Sequence, residues 1–387
     1  MQSYKKSPYF SKNKYEMTEE REIVGFVLPL AAGIAVCTFI AHPFSYRLTG
    51  SLALFCIIAA CWAAGYWRGH RPAVLLLTFF LAFSTGVFCQ STSSMRFSPS
   101  LKIIRQANAE VSPTSLPEAA AAKTAAAIRA LPFKHPGTDE LLCAFILGDK
   151  SGLEKETQAQ FRDSGAAHLL ALSGLHLGII YVLVLKTLSL LGRSRPARWI
   201  RYFLLIAAAG FYTLATGASP SLVRAFLFIV LRETSKLFHR PQAPAQILMA
   251  ALTIQLILTP KALFSAGFQL SYLAVAGIIY LWPPLRRCWP GDPAADHSWM
   301  RRVWDSTSLS ISCQLTTGPL AWIRFGTLPG HFLLTNLIAI PLTGLLIPLA
   351  IGTLLLSQLG FCPELLYAVV DVLAEALQYS LRIISIM

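Results

Sequence analysis

Several apolar runs in this chain exceed the ~18 residues a helix needs to cross about 30 Å of hydrocarbon, and no other feature constrains the fold as tightly. Inside a bilayer each backbone N–H and C=O must be satisfied within the chain, so runs of this length fold as helices. The composition agrees, because 55% hydrophobic and 13% charged residues leave too little charged surface for a soluble protein of 387 residues. Divided at charges and turns, the runs give about eleven spans. The first three are Ile23–Ala41, Leu48–Trp67 and Ala73–Cys89. A polar interval, Gln90–Gly165, follows. The rest are His168–Leu191, Ile200–Thr216, Ser221–Phe238, Pro244–Leu258, Leu263–Trp282, Ser306–Ile323, Leu333–Leu359 and Leu365–Ile386.

The expectation is an all-α, polytopic transmembrane helical bundle in three segments. Residues 1–89 form an N-terminal three-span segment, 90–165 an extracytoplasmic helical linker, and 166–387 a transmembrane domain. Pro341 and Pro348, with nearby polar groups, predict broken or re-entrant helices toward the C-terminal end. In the linker, Pro117–Leu131 is Ala-rich and reads as a helix near the membrane surface. Thr138 is placed to cap a second short helix that Gly148 closes. The first apolar run begins only at Ile23 and leads straight into another, which predicts a retained first helix rather than a cleaved signal peptide.

The net charge of +14 would suit nucleic acid or anionic lipid. Its distribution favours a simpler source, the basic bias of cytoplasmic loops. Lys5, Lys6, Lys12, Lys14 and Arg21 precede the first span and predict a cytoplasmic N-terminus. The connections then expected on the same side hold Arg68 and Arg71, Arg193, Arg195, Arg198 and Arg201, then Arg232, Lys236 and Arg240, then Arg286, Arg287, Arg301 and Arg302. Opposite links such as Thr216–Ser221 and Thr259–Leu263 carry almost no charge. This register puts residues 90–165 and the C-terminus outside. The eight cysteines (37, 56, 61, 89, 143, 288, 313 and 362) are scattered without CxxC or Cys/His spacing. They read as small apolar residues, and no metal site, disulfide framework or cofactor is expected.

The most informative stretch runs from Leu141 to Val184. It leads from the polar interval into an apolar helix carrying His168, Ser173 and His176, and polar groups at such depth mark functional or packing sites. Projected as one helix, Ala167, Ala171, Gly174 and Gly178 fall within about 60° of one another and form a helix-packing ridge with a GxxxG. The two histidines stand about 12 Å apart along the axis, too far to share a metal ion. Ser173 and His176 at i,i+3 could make a nucleophile and base, but no orienting acid lies nearby, and the ALSGL context lacks the first glycine of a GxSxG elbow.

This passage resembles the ComEC family of competence proteins, inner-membrane channels for transforming DNA. The family's GD(R/K)SGL stretch reads here as Gly148-Asp149-Lys150-Ser151-Gly152-Leu153, and its HLLA(I/L)SGLH(V/L)G helix as His168 through Gly178. Ser219 through Ala225 is similar to (S)PSxxRA, Phe268 through Ala274 to FQLSxLA, and Asn336 through Pro341 to NLLAIP. The resemblance covers roughly residues 141–350. Members commonly add an extracytoplasmic OB-like domain and a metallo-β-lactamase-like domain. Residues 90–140 are too short and Ala-rich for the first, and no HxHxDH-type motif answers to the second.

The resemblance implies a channel, not an enzyme, for uptake of single-stranded transforming DNA through the cytoplasmic membrane during natural competence. Its partners would be single-stranded DNA, membrane lipids, a separate nuclease, a DNA receptor and a cytoplasmic motor or strand-binding protein. A homo-oligomer is compatible. The residues available to line a DNA path are His168, Ser173, His176, Arg224, Gln269, Tyr272 and Asn336. Arg224 can offer phosphate two hydrogen bonds, while Gln269 and Tyr272, one turn apart, can bond a passing strand or each other. Asp371 and Glu375 form an i,i+4 carboxylate pair, with Arg382 on nearly the same face to neutralise it. The alternatives are a small-molecule or lipid-linked transporter on the same core, or an intramembrane serine hydrolase built on Ser173.

Overall fold

The computed structural model describes residues 27–35, 78, 80–87, 90, 116–192, 194–240, 242–289, 298–326 and 330–386. The expected span Leu48–Trp67, about half of the spans on either side of it and the N-terminal basic run lie outside the described residues. Every element among the described residues is helical. Two compact units result, one from residues 1–111 with 240–272, the other from 112–239 with 273–387.

In the first unit, helices α1 (27–35) and α2 (80–87) touch through glycines. A Cβ on Gly33 would collide with the Phe83 carbonyl oxygen, and one on Gly86 with that of Leu30. Small residues permit this backbone approach where lipid supplies no hydrophobic drive between helices. The unit continues with α10 (Pro244–Leu258), a short 3₁₀ turn at Pro260–Phe264, and the start of α11 (Ala266–Ala276).

The second unit opens with α3 (Leu116–Arg129), α4 (Thr138–Leu147), α5 (Lys155–Asp163) and the single turn α6 (Ala167–Leu170). Gly137, not Thr138, occupies the N-cap of α4 with a φ of 86°, and Thr138 is buried inside the first turn. Gly148 ends α4 at a φ of 77°, where its N–H bonds the Ala144 carbonyl and the Asp149 N–H bonds that of Cys143. This left-handed stop suits glycine. These helices do more than link spans. Ile128, Leu141, Phe145, Phe161 and Leu169 join one apolar core with Ala339, Leu346, Val370, Ala374 and Leu377 of the last two helices.

Next come α7 (Gly174–Leu188), α8 (Arg195–Ala215) and α9 (Pro220–Leu237), which share a second core around Leu177, Ala209, Leu222 and Ile229. Helix α11 passes through a π-helical turn, Gly277–Leu281, into α12 (Trp282–Arg287), and α13 (Trp299–Phe325) follows. The extra residue in that turn sets Gly277 against α13, 2.6 Å from a hypothetical Cβ to the Ser312 carbonyl oxygen. Helices α14 (Phe332–Gln358) and α15 (Glu364–Ile386) complete the unit.

Three stretches among the described residues are long and apolar enough to cross a membrane, Gly174–Leu191, Ala266–Arg287 and Phe332–Gln358. These candidate spans are consistent with a membrane protein, and the described residues show three where eleven spans are expected over the whole chain. Helices α8, α9, α13 and α15 have the length, but polar and charged residues dilute their apolarity. The break foreseen at Pro341 and Pro348 does not occur, because α14 runs unbroken through both. Neighbouring helices can supply what the missing N–H groups leave open. The break falls earlier, between α6 and α7.

Candidate functional site

The expected helix from His168 to Leu191 is interrupted at Ala171–Ser173, where Ala171 turns to extended backbone at φ −83°, ψ 120°. Ser173 then starts α7 as its N-cap. Its Oγ accepts the Leu175 N–H at 3.2 Å, and its own N–H donates to His176 Nδ1 at 3.3 Å. Ser173 Oγ also lies 3.2 Å from the same Nδ1. These bonds satisfy donors that a helix start otherwise leaves orphaned, with histidine in the place Glu or Gln takes in a capping box.

The interruption corrects the ridge. Ala167 and Ala171 belong to a separate segment and cannot share a helical face with Gly174 and Gly178. Half of the GxxxG inference survives at Gly174, where a Cβ would stand 2.8 Å from Arg224 Nη2 and 3.4 Å from the Ala225 Cβ. Gly178 has open space where its Cβ would be. Gly174 therefore admits a guanidinium rather than a second backbone.

Arg224 reaches that position because Gly217 and Ala218, both at positive φ, turn the chain from α8 to α9. Ser219 caps α9 by accepting the Leu222 N–H at 3.4 Å, and Pro220 fills the first turn, where its missing N–H costs nothing. Arg224 follows one turn later and is 8% exposed. Ser173, His176 and Arg224 thus meet at one helix start. His176 is fully buried, its ring 6.0 Å from that of Phe145, and its Nε2 has no hydrogen-bond partner among the described residues. With Nδ1 accepting from the Ser173 N–H, the neutral ring carries its proton on Nε2.

The other expected residues divide. His168 sits exposed on α6, its Nδ1 3.1 Å from the Gly165 carbonyl oxygen. Asn336 lies half-buried in the first turns of α14, and its Oδ1 has no donor among the described residues. The adjacent Thr335 donates to the Ser164 carbonyl at 2.6 Å. Gln269 and Tyr272 belong to the first unit. Gln269 Nε2 donates to the Leu263 carbonyl at 2.7 Å, and the Tyr272 hydroxyl donates to Gln255 Oε1 at 2.9 Å.

The Gly148–Leu153 motif is a latch. Asp149 Oδ1 accepts from the Ser151 N–H at 3.0 Å and its hydroxyl at 2.6 Å, while Arg129 Nη2 donates to Oδ2 at 3.1 Å. The Ser151 bonds, and secondarily Arg129, hold the Asp149 carboxyl below its usual range. Arg129 also grips Glu140 through Nε at 3.2 Å. These two carboxylates raise the guanidinium pKa further above its ordinary value. A Cβ on Gly152 would overlap the Glu140 carboxylate and push it from its place on Arg129.

The carboxylate pair of α15 has partners other than Arg382. Asp371 Oδ2 accepts the Lys134 N–H at 2.7 Å, and Glu375 Oε2 is 3.1 Å from His135 Nε2. Both fasten the loop before α4, residues that sequence spacing within α15 could not reveal. Phe145 was equally hidden, since only the fold brings it to His176.

Residues 145–386, well over half of the chain, match the family model described as Competence protein. The chain belongs to this family, and the resemblance to ComEC proteins read from its motifs is borne out. Among curated relatives, the uncharacterized protein YcaI of Escherichia coli K12 is 28% identical over 55% of this chain and 28% of its own length. ComE operon protein 3 of Bacillus subtilis 168 is 31% identical over 37% of this chain and 18% of its own. Recombination protein 2 of Haemophilus influenzae is 28% identical over 54% of this chain and 27% of its own. The chain thus spans less than a third of the length of each. No solved structure matches it.

Proposed function

We propose that this chain takes part in natural competence as the membrane core of a conduit that admits one strand of DNA to the cytoplasm. The observation that carries this reading is Arg224, buried at the interrupted helix start beside Ser173 and His176. Irregular backbone within a membrane is tolerated where it is enclosed by protein or lines water, and a buried guanidinium there favours an anionic visitor. A polyanion cannot cross hydrocarbon without such shielding, and cationic and stacking groups would bind its phosphates and bases. Similarity to Competence protein, over residues 145–386, supports the assignment.

The conduit is passive. Ser173 and His176 spend their polar contacts on the start of α7, which favours a structural role over hydrolysis. Transport would draw on a DNA receptor outside, a separate nuclease for the other strand and a cytoplasmic motor or strand-binding protein. We place the chain in the cytoplasmic membrane with about eleven spans, its N-terminus inside, and residues 90–165 and the C-terminus outside, following the basic-loop register.

The test uses labelled duplex DNA and cells carrying Arg224→Gln at wild-type protein level. DNA should reach the periplasm and fail to enter the cytoplasm, while Arg224→Lys, which keeps the charge, should retain part of the activity. Normal cytoplasmic DNA with Arg224→Gln would reject Arg224 as the path residue. Normal uptake in cells lacking the chain would reject the conduit and favour a transporter.

A further inference from the structure

A second cationic cluster lies at the other end of an apolar stretch, away from the residues assigned to DNA. The candidate span Ala266–Arg287 ends on Arg286 and Arg287, and Arg301 and Arg302 open α13 beside it. Arg286 makes a two-pronged pair with Asp305, Nε to Oδ1 at 2.9 Å and Nη2 to Oδ2 at 3.0 Å. Its guanidinium lies 5.3 Å from the Trp282 ring centroid. Arg301, only 2% exposed, shares the same carboxylate, with Nε 3.2 Å from Asp305 Oδ1, and donates through Nη2 to the Arg286 carbonyl at 3.1 Å.

Among the described residues one carboxylate, Asp305, thus serves two guanidiniums, one of them on the buried Arg301. Burying such a charge is costly unless an anion answers it. Two donors beside it also lack acceptors among the described residues, Arg301 Nη1 and, one turn on, Trp304 Nε1. Trp304 packs near Trp289, ring centroids 6.0 Å apart. Tryptophan with arginine at the end of an apolar helix is the chemistry of the headgroup layer, where indoles sit half in hydrocarbon and cations meet lipid phosphate.

We infer that Arg301 and Trp304, backed by Arg286 and Asp305, form a binding site for the phosphate of an anionic phospholipid headgroup. The guanidinium offers phosphate a charged donor and the indole N–H adds a second, so the site selects an anionic lipid over a zwitterionic one, whose own cation repels the cluster. The exposed Arg287 and Arg302 extend the positive field toward the headgroup layer. The orientation proposed above assigns the site to the cytoplasmic leaflet. The site itself does not rest on DNA transport, so loss of uptake in an Arg224 variant would leave it standing.

The full chain, purified in detergent, is mixed with phosphatidylglycerol or phosphatidylcholine, and retained lipid is measured by native mass spectrometry. Wild-type protein should retain phosphatidylglycerol in preference to phosphatidylcholine. Arg301→Gln should reduce that preference about tenfold. The gentler Trp304→Phe, which keeps the ring and removes only the N–H, should reduce it severalfold with helicity unchanged by circular dichroism. Equal retention of both lipids by the wild type would overturn the assignment, as would unchanged preference in a folded Trp304→Phe. Displacement of phosphatidylglycerol by millimolar inorganic phosphate would mark the site as one for a free anion and overturn the lipid reading.

Discussion

Replacing Ser173 with alanine separates a helix cap from a nucleophile. In the structure the Ser173 hydroxyl accepts one backbone donation, from Leu175 at 3.2 Å, while the bond from the Ser173 N–H to His176 Nδ1 is made by backbone and survives the substitution. The variant therefore loses half of a capping arrangement. Replacing a serine N-cap with alanine costs ~1 kcal/mol, within about 0.5–2. That corresponds to roughly a fivefold change in the population of the intact helix start. DNA uptake per unit of membrane protein should fall by less than about tenfold, with a modest drop in thermal stability in detergent. Asn and Asp cap as well as Ser does, so Ser173→Asn and Ser173→Asp should restore both. A catalytic nucleophile behaves otherwise, because its removal costs about a thousandfold or more and neither amide nor carboxylate replaces it. A loss of that size at unchanged melting temperature, without rescue by Asn, would refute the capping role and return Ser173 to chemistry.

Two further substitutions test packing and charge. Gly277→Ala places a Cβ 2.6 Å from the Ser312 carbonyl oxygen, an atom that cannot swing aside, so α13 must move at a cost of about 1–3 kcal/mol; thermal unfolding and membrane abundance should both decline, and wild-type values would contradict the fit. Asp149→Ala removes the latch acceptor. Because the folded state holds this carboxyl below its usual pKa, its contribution is full above the unfolded value of about 3.9 and is lost as pH falls through the folded value. The difference between wild type and variant in protease resistance around α3 and α4 should therefore close as the medium is acidified below about pH 4, and a constant gap would contradict it.

The helical class was legible from the sequence because long apolar runs admit no other backbone solution. The family was legible because its motifs are long and ordered. What escaped depended on departures from regularity. Projection at a fixed angle assumed that His168 and His176 share a helix, yet the chain breaks at Ala171 because Ser173 offers α7 a better start than continuation does. Prolines 341 and 348 suggested breaks that α14 does not make. Partners across the fold escaped as well: Asp371 and Glu375 look like a self-contained pair in α15 and instead hold Lys134 and His135, more than two hundred residues away. Gln269 and Tyr272, one turn apart, also bond groups of their own unit that spacing could not name, the Leu263 carbonyl and Gln255.

The fold also explains why the two parts of the family signature occur together. The Gly148–Leu153 latch and the His168–Gly178 stretch are separated in sequence by α5, but they touch. Leu172, within the break itself, lies against Gly148, and just before the latch Phe145 packs on His176. Gly148 meets two demands at once. Its φ of 77° is one that a Cβ disfavours by about 1–2 kcal/mol, and a Cβ there would also overlap the Leu172 side chain. Leucine can rotate away, so the second demand costs little energy, but it displaces the residue that sets the break. Gly148→Ala should therefore destabilise the C-terminal end of α4 modestly and loosen Ala171–Ser173 disproportionately. Amide exchange in detergent should quicken at Leu175 and His176, one helix away from the substitution. If exchange quickens only around Asp149 and leaves α7 untouched, the latch and the helix start are independent, and their joint presence in the signature needs another cause.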